Sequence, residues 1–161
     1  MTKSPTVAKK KILIVEDHPL FRAMLVQLID QELGMTVCGQ ADNVQDALTL
    51  IEQTLPDAAI VDLTLDGSSG FELIKDLRAR NLRLPVLVLS MHAESLYAER
   101  AMRAGAQGYL SKEEPPSEVA AAIRTVMAGQ IYVSRRVNGT TLERAGHAGQ
   151  VALFVGIFSV I

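Results

Sequence analysis

The chain reads as a doubly wound α/β domain, a parallel sheet with helices on both faces. Three observations predict it. Short apolar runs alternate with stretches of helical periodicity. Several of the runs are apolar at consecutive positions, as in strands buried on both faces. Proline opens some of the helical stretches and glycine closes several of them.

Lys11–Glu16 (KILIVE) is the first strand. Pro19 then opens a helix in which Leu20, Met24 and Leu28 recur every four residues, flanked by Phe21, Leu25 and Ile29, and Gly34 ends it. Met35–Gln40 reads as a buried second strand. Val44, Ala47, Leu48, Ile51 and Leu55 mark the second helix, and Asp57–Leu63 (DAAIVDL) is the third strand. A Gly/Ser loop, Asp66–Gly70, leads into a third helix through Ser69-x-x-Glu72, the spacing of a capping box. Pro85–Ser90 is the fourth strand, Ala93–Ala104 a helix closed by Gly105, and Gln107–Leu110 a short fifth strand. Pro116 and Ser117 open a last helix that runs to Ala128 and stops at Gly129. Right-handed crossovers between the strands follow from this alternation. After Ser134 the pattern fails, with glycines at 139, 146, 149 and 156 interrupting what remains.

A length of 161 residues fits one ordinary domain with some chain to spare, and 48% hydrophobic residues are enough for a full core. Aromatics are only 4% and tryptophan is absent, so that core is aliphatic. A formal net charge of −2 shows no overall bias toward nucleic acid or anionic lipid. Cys38 is the single cysteine, which excludes an intrachain disulfide and fits a reducing cytoplasm; it is expected in the core rather than as a nucleophile. The expected organisation is a basic tail over 1–10, a domain over 11–130 and an extension over 131–161. The lysines at 3, 9, 10 and 11 precede an apolar run too short for a signal peptide. The apolar run 151–161 is too short to span a bilayer as a helix, so no membrane partner is expected.

In an open parallel sheet, ligands bind beyond the carboxyl ends of the strands. Glu16 and Asp17 follow the first strand, Asp62 ends the third, Ser90 ends the fourth, and Ser111–Lys112 follow the fifth. Three carboxylates, a hydroxyl and a lysine thus converge from four strands. Clustered carboxylates repel, so a hard cation is their natural counterpart, and a few carboxylates with waters and a phosphate describe a magnesium site. A carboxylate, Mg2+, a hydroxyl and an ammonium are the parts that move a phosphoryl group onto an aspartate.

The motifs EDHPLFR (16–22), DLTLDGSSG (62–70), LSMH (89–92) and GYLSK (108–112), in that order, resemble the receiver domains of bacterial two-component response regulators. Within them the chain is most similar to the NarL/FixJ (LuxR-like) branch, over roughly residues 11–134. The resemblance implies a flavodoxin-like sheet of strand order 2-1-3-4-5 with five helices. It implies that Asp62 is the phosphoacceptor and that Asp17 binds Mg2+ directly, Glu16 through water and Thr64 through its main-chain carbonyl. Lys112 then pairs with the phosphoryl oxygens, the Ser90 hydroxyl follows the phosphate, and Tyr109 rotates inward as Ser90 moves. The implied partner is a sensor histidine kinase or phosphotransfer protein in a bacterial cytoplasm. The chain would not be a turnover enzyme beyond its own phosphorylation and dephosphorylation. The surface that changes would cover about residues 93–128, with a homodimer as one outcome; Ala120–Ala122 suit close packing there or are simply good helix formers. One departure is Asp66, where the family commonly has proline.

Each residue also has a plainer reading: Asp62 as a helix cap, Ser90 as a turn residue, Tyr109 as core, Lys112 as a solvated lysine. None of these accounts for the convergence of the set. His18, before Pro19 at a helix start, is read as structural; His92 and His147 receive no role. Arg135–Arg136 is too short a basic pair for a DNA-binding patch, and residues 135–161 are too few for a three-helix DNA-binding unit. Direct nucleic-acid binding by this chain is therefore not expected. Two other readings stand beside the signalling module: a truncated LuxR-type transcription regulator, and a Mg2+-dependent aspartyl phosphotransferase or phosphatase. Such enzymes commonly carry a second acid two residues after the nucleophile, where this chain has Thr64. The tail is compatible with a single-domain regulator, a receiver cut from a longer protein, or a frame change near Asn138.

Overall fold

A computed structural model of the chain describes residues 5–32, 34–92 and 95–134. The first elements are β1 (Lys10–Val15), α1 (Pro19–Gln31), β2 (Met35–Ala41), α2 (Val44–Thr54) and β3 (Ala58–Asp62). A small hairpin follows, β4 (Thr64–Leu65) with β5 (Ser68–Ser69), and then α3 (Gly70–Ala79), β6 (Val86–Ser90) and α4 (Ser95–Ala104). The order closes with β7 (Gly108–Ser111), α5 (Pro116–Met127) and β8 (Tyr132–Val133). The main sheet runs β2-β1-β3-β6-β7-β8 with every pairing parallel. This is the flavodoxin-like order with one strand more than the sequence suggested. Tyr132 pairs with Gly108 and Val133 with Tyr109. Two residues are too few to leave a periodic signal, so in sequence they fall within the extension over 131–161.

Alternation along each strand divides the core between two layers. Leu13 and Val15 of β1, Ala59 and Val61 of β3, and Val86 and Val88 of β6 face α2, α3 and α4. Ile12, Ile14, Ala58, Ile60, Leu87 and Leu89 face α1 and α5. A strand apolar at every position is the consequence, and each fully buried Leu or Ile contributes about 1.5–3 kcal/mol. Ala120 and Ala122 are buried under their own helix, with Ala122 in the core layer beneath α1 and α5, while Ala121 faces outward.

Three expectations about faces change. The buried row of α1 is Leu25 and Ile29, joined by the half-buried Phe21 and Leu28; Leu20 is 79% exposed because it sits in the first turn on the opposite side. Leu55 is not on the buried face of α2 but caps it, in the left-handed region at φ 50°, because the helix cannot run on into Pro56. Strand β2 is an edge strand rather than a fully buried one, so Cys38 is half-buried, packed against the core with its Sγ 3.4 Å from Thr54 Oγ1.

Arg78 ties the far end of the molecule together. Its guanidinium donates to the carbonyls of Gly105, Leu82 and Leu84 and to the Gln107 side chain, closing the ends of α3 and α4 over the sheet. Burial lowers its pKa. The start of the helix expected at Ala93, the Arg135–Arg136 pair, His147 and the apolar run 151–161 lie outside the described residues. Among the described residues no helix is long and apolar enough to cross a membrane.

Candidate functional site

Parallel strands start and stop together, so their carboxyl ends form one rim. Glu16 follows directly on β1, Asp62 is the last residue of β3, Ser90 the last of β6, and Lys112 follows β7. Register brings them level: Val15 pairs with Ala41 and Val61, Asp62 with Leu89, and Ser90 with Ser111. An open cleft at this rim is lined by Glu16, Asp17, His18, Phe21, Asp62, Thr64, Met91 and Lys112.

Lys112 Nζ stands 2.8 Å from Asp62 Oδ2 and 2.8 Å from Glu16 Oε2, and all three side chains are 7% exposed or less. The contact to Asp62 is a hydrogen bond; that to Glu16 is an ion pair, and Glu16 Oε2 is buried without a hydrogen bond of good geometry. Glu16 Oε1 accepts the His18 N–H at 3.1 Å, and Asp62 Oδ1 accepts the Thr64 N–H at 3.2 Å. One carboxylate oxygen each from Glu16, Asp17 and Asp62 lies within 4.8 Å of the others. Burial pushes the Glu16 carboxyl above its ordinary value, against the pull of the Lys112 ammonium and with the repulsion of Asp62. Burial works to lower Lys112, but its close contacts and charge attraction to Asp62 and Glu16 outweigh that and hold it above its ordinary value. Three carboxylates gathered within 4.8 Å, two of them sharing a single ammonium, are a donor set that suits a hard divalent cation.

The helix starts support this rim. His18 caps α1, its Nδ1 accepting the Phe21 N–H at 3.3 Å, with Pro19 in the first turn, so its structural reading holds. Arg22 Nη1 donates to the Glu16 carbonyl at 2.8 Å, fastening α1 to the end of β1. Ser69 caps α3 by accepting the Phe71 N–H at 3.2 Å. The segment between Asp62 and α3 folds back on itself: Asp66 and Gly67 (φ 66°) turn the β4–β5 hairpin, and Gly70 N donates to Leu63 O at 3.0 Å.

Ser90 and Tyr109 are placed differently from the carboxylates. Ser90 is buried at the neighbouring strand end, and its Oγ accepts the His92 N–H at 3.0 Å. Tyr109 is fully buried, already turned inward, and its hydroxyl donates to the His92 carbonyl. The His92 ring stacks on Tyr97 of α4, with centroids 4.3 Å apart. His92 therefore joins Ser90, Tyr109 and α4, a role that sequence reasoning missed because two of its three links are made by the backbone. The other residue it missed is Phe21, whose ring faces the Lys112 ammonium.

Among the described residues, a parallel sheet flanked by five helices, with an acidic cleft and a buried lysine at the strand ends, defines a class, and comparison with known proteins identifies it. The chain matches the response regulator receiver domain over residues 12–124 and belongs to that family. It is 37% identical over 139 residues to the transcriptional activator protein ExaE of Pseudomonas putida, covering 86% of this chain and 64% of that protein. It is 35% identical over 127 residues to the response regulator GacA of Pseudomonas aeruginosa, covering 79% and 59%. The chain thus spans less than two thirds of the length of these curated relatives. Among solved structures, a LuxR-family two-component response regulator from Aurantimonas sp. SI85-9A1 superposes with a TM-score of 0.82 at 31% identity, covering 87% of this chain and all of that one. The signal receiver domain of NarL from Mycobacterium tuberculosis gives 0.73 at 32%, covering 76% and 99%.

Proposed function

We propose that the chain is a phosphoacceptor switch in which Asp62 takes a phosphoryl group from a sensor histidine kinase or phosphotransfer protein. One observation carries the reading: Lys112 Nζ bridges Asp62 and Glu16 at 2.8 Å, on a rim where a third carboxylate, Asp17, completes an acidic cluster. Glu16, Asp17, Asp62 and the Thr64 main-chain carbonyl would hold Mg2+. When bound, the ion would neutralise phosphoryl oxygens as the group arrives.

In the transfer an Asp62 carboxylate oxygen attacks phosphorus, the bond from phosphorus to the donor breaks, and the donor leaves with that electron pair. Lys112 moves from the free carboxylate to a phosphoryl oxygen, which offers its ammonium a stronger acceptor. The Ser90 hydroxyl, now accepting from His92, is the nearby group free to rotate as a donor toward the phosphate. Because His92 also accepts from Tyr109 and stacks on Tyr97, that rotation biases α4 and the surface formed by α4, β7 and α5. Protein–protein contact or dimerisation there is the output, in a bacterial cytoplasm.

The test is intact mass after incubation with acetyl phosphate and Mg2+. Wild type gains one labile phosphoryl group; without Mg2+, or in Asp62→Asn, it gains none. A folded wild type that gains nothing overturns the reading.

A second reading has an observation in its favour: ExaE is by name a transcriptional activator, and this chain covers 64% of it. A helix-turn-helix encoded by the natural full-length gene would make the chain the receiver portion of a DNA-binding regulator.

A further inference from the structure

Lys112 has a third neighbour that the phosphoacceptor reading leaves unused. Its ammonium lies 4.5 Å from the centroid of the Phe21 ring. We propose that Phe21 is a positioning residue, whose ring face keeps the Lys112 ammonium at the acceptor edge when its carboxylate partners are taken by other ligands. The inference rests on the phosphoacceptor reading of Asp62.

The two close acceptors of the Lys112 ammonium, Asp62 Oδ2 and Glu16 Oε2, belong to the same carboxylates that form the acidic cluster. A divalent cation there competes with Lys112 for those oxygens, and phosphorylation converts one Asp62 oxygen into an acyl phosphate. Lys112 must then give up contacts at the moment its charge is needed. A lysine side chain is long and flexible, so without another contact it can swing away into water. The ring face is a partner that neither event consumes. It attracts a cation through its quadrupole, while a hard divalent ion prefers oxygen ligands.

The ring is held where this requires. Phe21 lies in the first turn of α1, its N–H donating to His18 Nδ1, and its side chain packs against the core layer beneath α1 and α5. The next residue, Arg22, donates to the Glu16 carbonyl and locks this turn onto the strand end that carries Glu16. The aromatic wall and the carboxylate are thus tied to each other through the backbone. Lys112 enters from β7 on the far side of Asp62.

The test uses the full chain with Mg2+ at saturation and acetyl phosphate as donor. In that step an Asp62 oxygen attacks phosphorus, the bond from phosphorus to the acetyl oxygen breaks, and acetate leaves with the electron pair. Intact mass follows the rate in wild type, Phe21→Leu, Phe21→Trp, Lys112→Met and the Phe21→Leu/Lys112→Met double variant. Phe21→Leu is expected to slow transfer about three- to tenfold, between the size of an exposed and of a desolvated cation–π contact. Phe21→Trp should recover the wild-type rate. In the Lys112→Met background, Phe21→Leu should slow transfer no further. The same slowing with and without Lys112 would mean ordinary packing and would overturn the inference, as would an unchanged rate in Phe21→Leu. If Lys112→Met is too slow to time, proton NMR decides. With Mg2+ bound, the Lys112 ε-methylene protons of wild type should carry an upfield ring-current shift that Phe21→Leu removes, and a wild type lacking that shift overturns the inference. Wild type that takes no phosphoryl group fails the phosphoacceptor reading instead, which the ring-current result reports separately.

Discussion

At the scale of single residues, the cleft is a balance between burial and pairing. Glu16 is almost fully buried, and desolvation raises its carboxyl above the ordinary value of 4.5 despite the nearby ammonium. A carboxyl whose pKa is higher folded than unfolded stabilises the fold most when protonated, and that contribution is lost as pH rises past the unfolded value. Glutamine mimics the protonated form. In EDTA, Glu16→Gln is therefore expected to melt close to wild type near pH 4 and above it by pH 7, with the gap opening between. Mg2+ should then narrow or reverse the gap, since the variant has lost a candidate ligand. Thermal melts across pH check this, and a gap that shrinks with rising pH would contradict it. His18, Arg22 and Phe21 show how neighbouring letters divide labour, as cap, as clamp on the Glu16 carbonyl and as wall beside Lys112. The motif EDHPLFR made the carboxylates legible, but the wall and the clamp depend on where α1 lies, which short-range spacing does not specify.

At the scale of elements, the loop after Asp62 is the critical construction. A Cβ on Gly70 would stand 2.3 Å from the Asp62 carbonyl oxygen and 3.0 Å from Leu63 Cα, both backbone, so nothing flexible can yield. Glycine is required there by close approach rather than by dihedral angle. Gly70→Ala is expected to destabilise the fold by about 1–3 kcal/mol, the usual size of overpacking, and, on the proposed function, to slow phosphoryl transfer by shifting Asp62. Urea unfolding and the mass assay check the two effects, and an alanine variant matching wild type in both would show that the loop relaxes freely. The Gly/Ser composition of 66–70 announced a loop and Ser69 announced a cap, both of which are local signals. The hairpin within the loop and the strand at Tyr132–Val133 were not legible, since each consists of two-residue strands whose hydrogen bonds are made to distant or opposing backbone. Arg78 is similar: in sequence it is one basic residue at a helix end, and in the fold its donors satisfy carbonyls from the ends of α3 and α4.

At the scale of the whole molecule, the ends of β1 and β3 bring together three carboxylates that repel one another, against which the end of β7 sets one ammonium, and anything that neutralises the excess charge adds to stability. A cation that binds only the folded chain stabilises it by an amount set by its concentration relative to its Kd, about 2.7 kcal/mol at one hundred times Kd. Titrating Mg2+ should raise the melting temperature by several degrees in wild type and far less in Asp17→Asn, whereas equal shifts would place the ion elsewhere. Alternating apolar runs and helical periodicity, with caps at the helix starts, were enough to specify a doubly wound sheet. A sheet of that kind has one functional edge, so the candidate carboxylates and lysine could be read from their positions at strand ends. These are local patterns, written in residues close together in the chain. Tertiary structure alone decided that β2 lies at an edge, that Tyr109 is turned inward onto the His92 backbone, and that Lys112 sits between two carboxylates and an aromatic ring. Each of those depends on distances between segments far apart in sequence, which are set only when both faces of the sheet are packed.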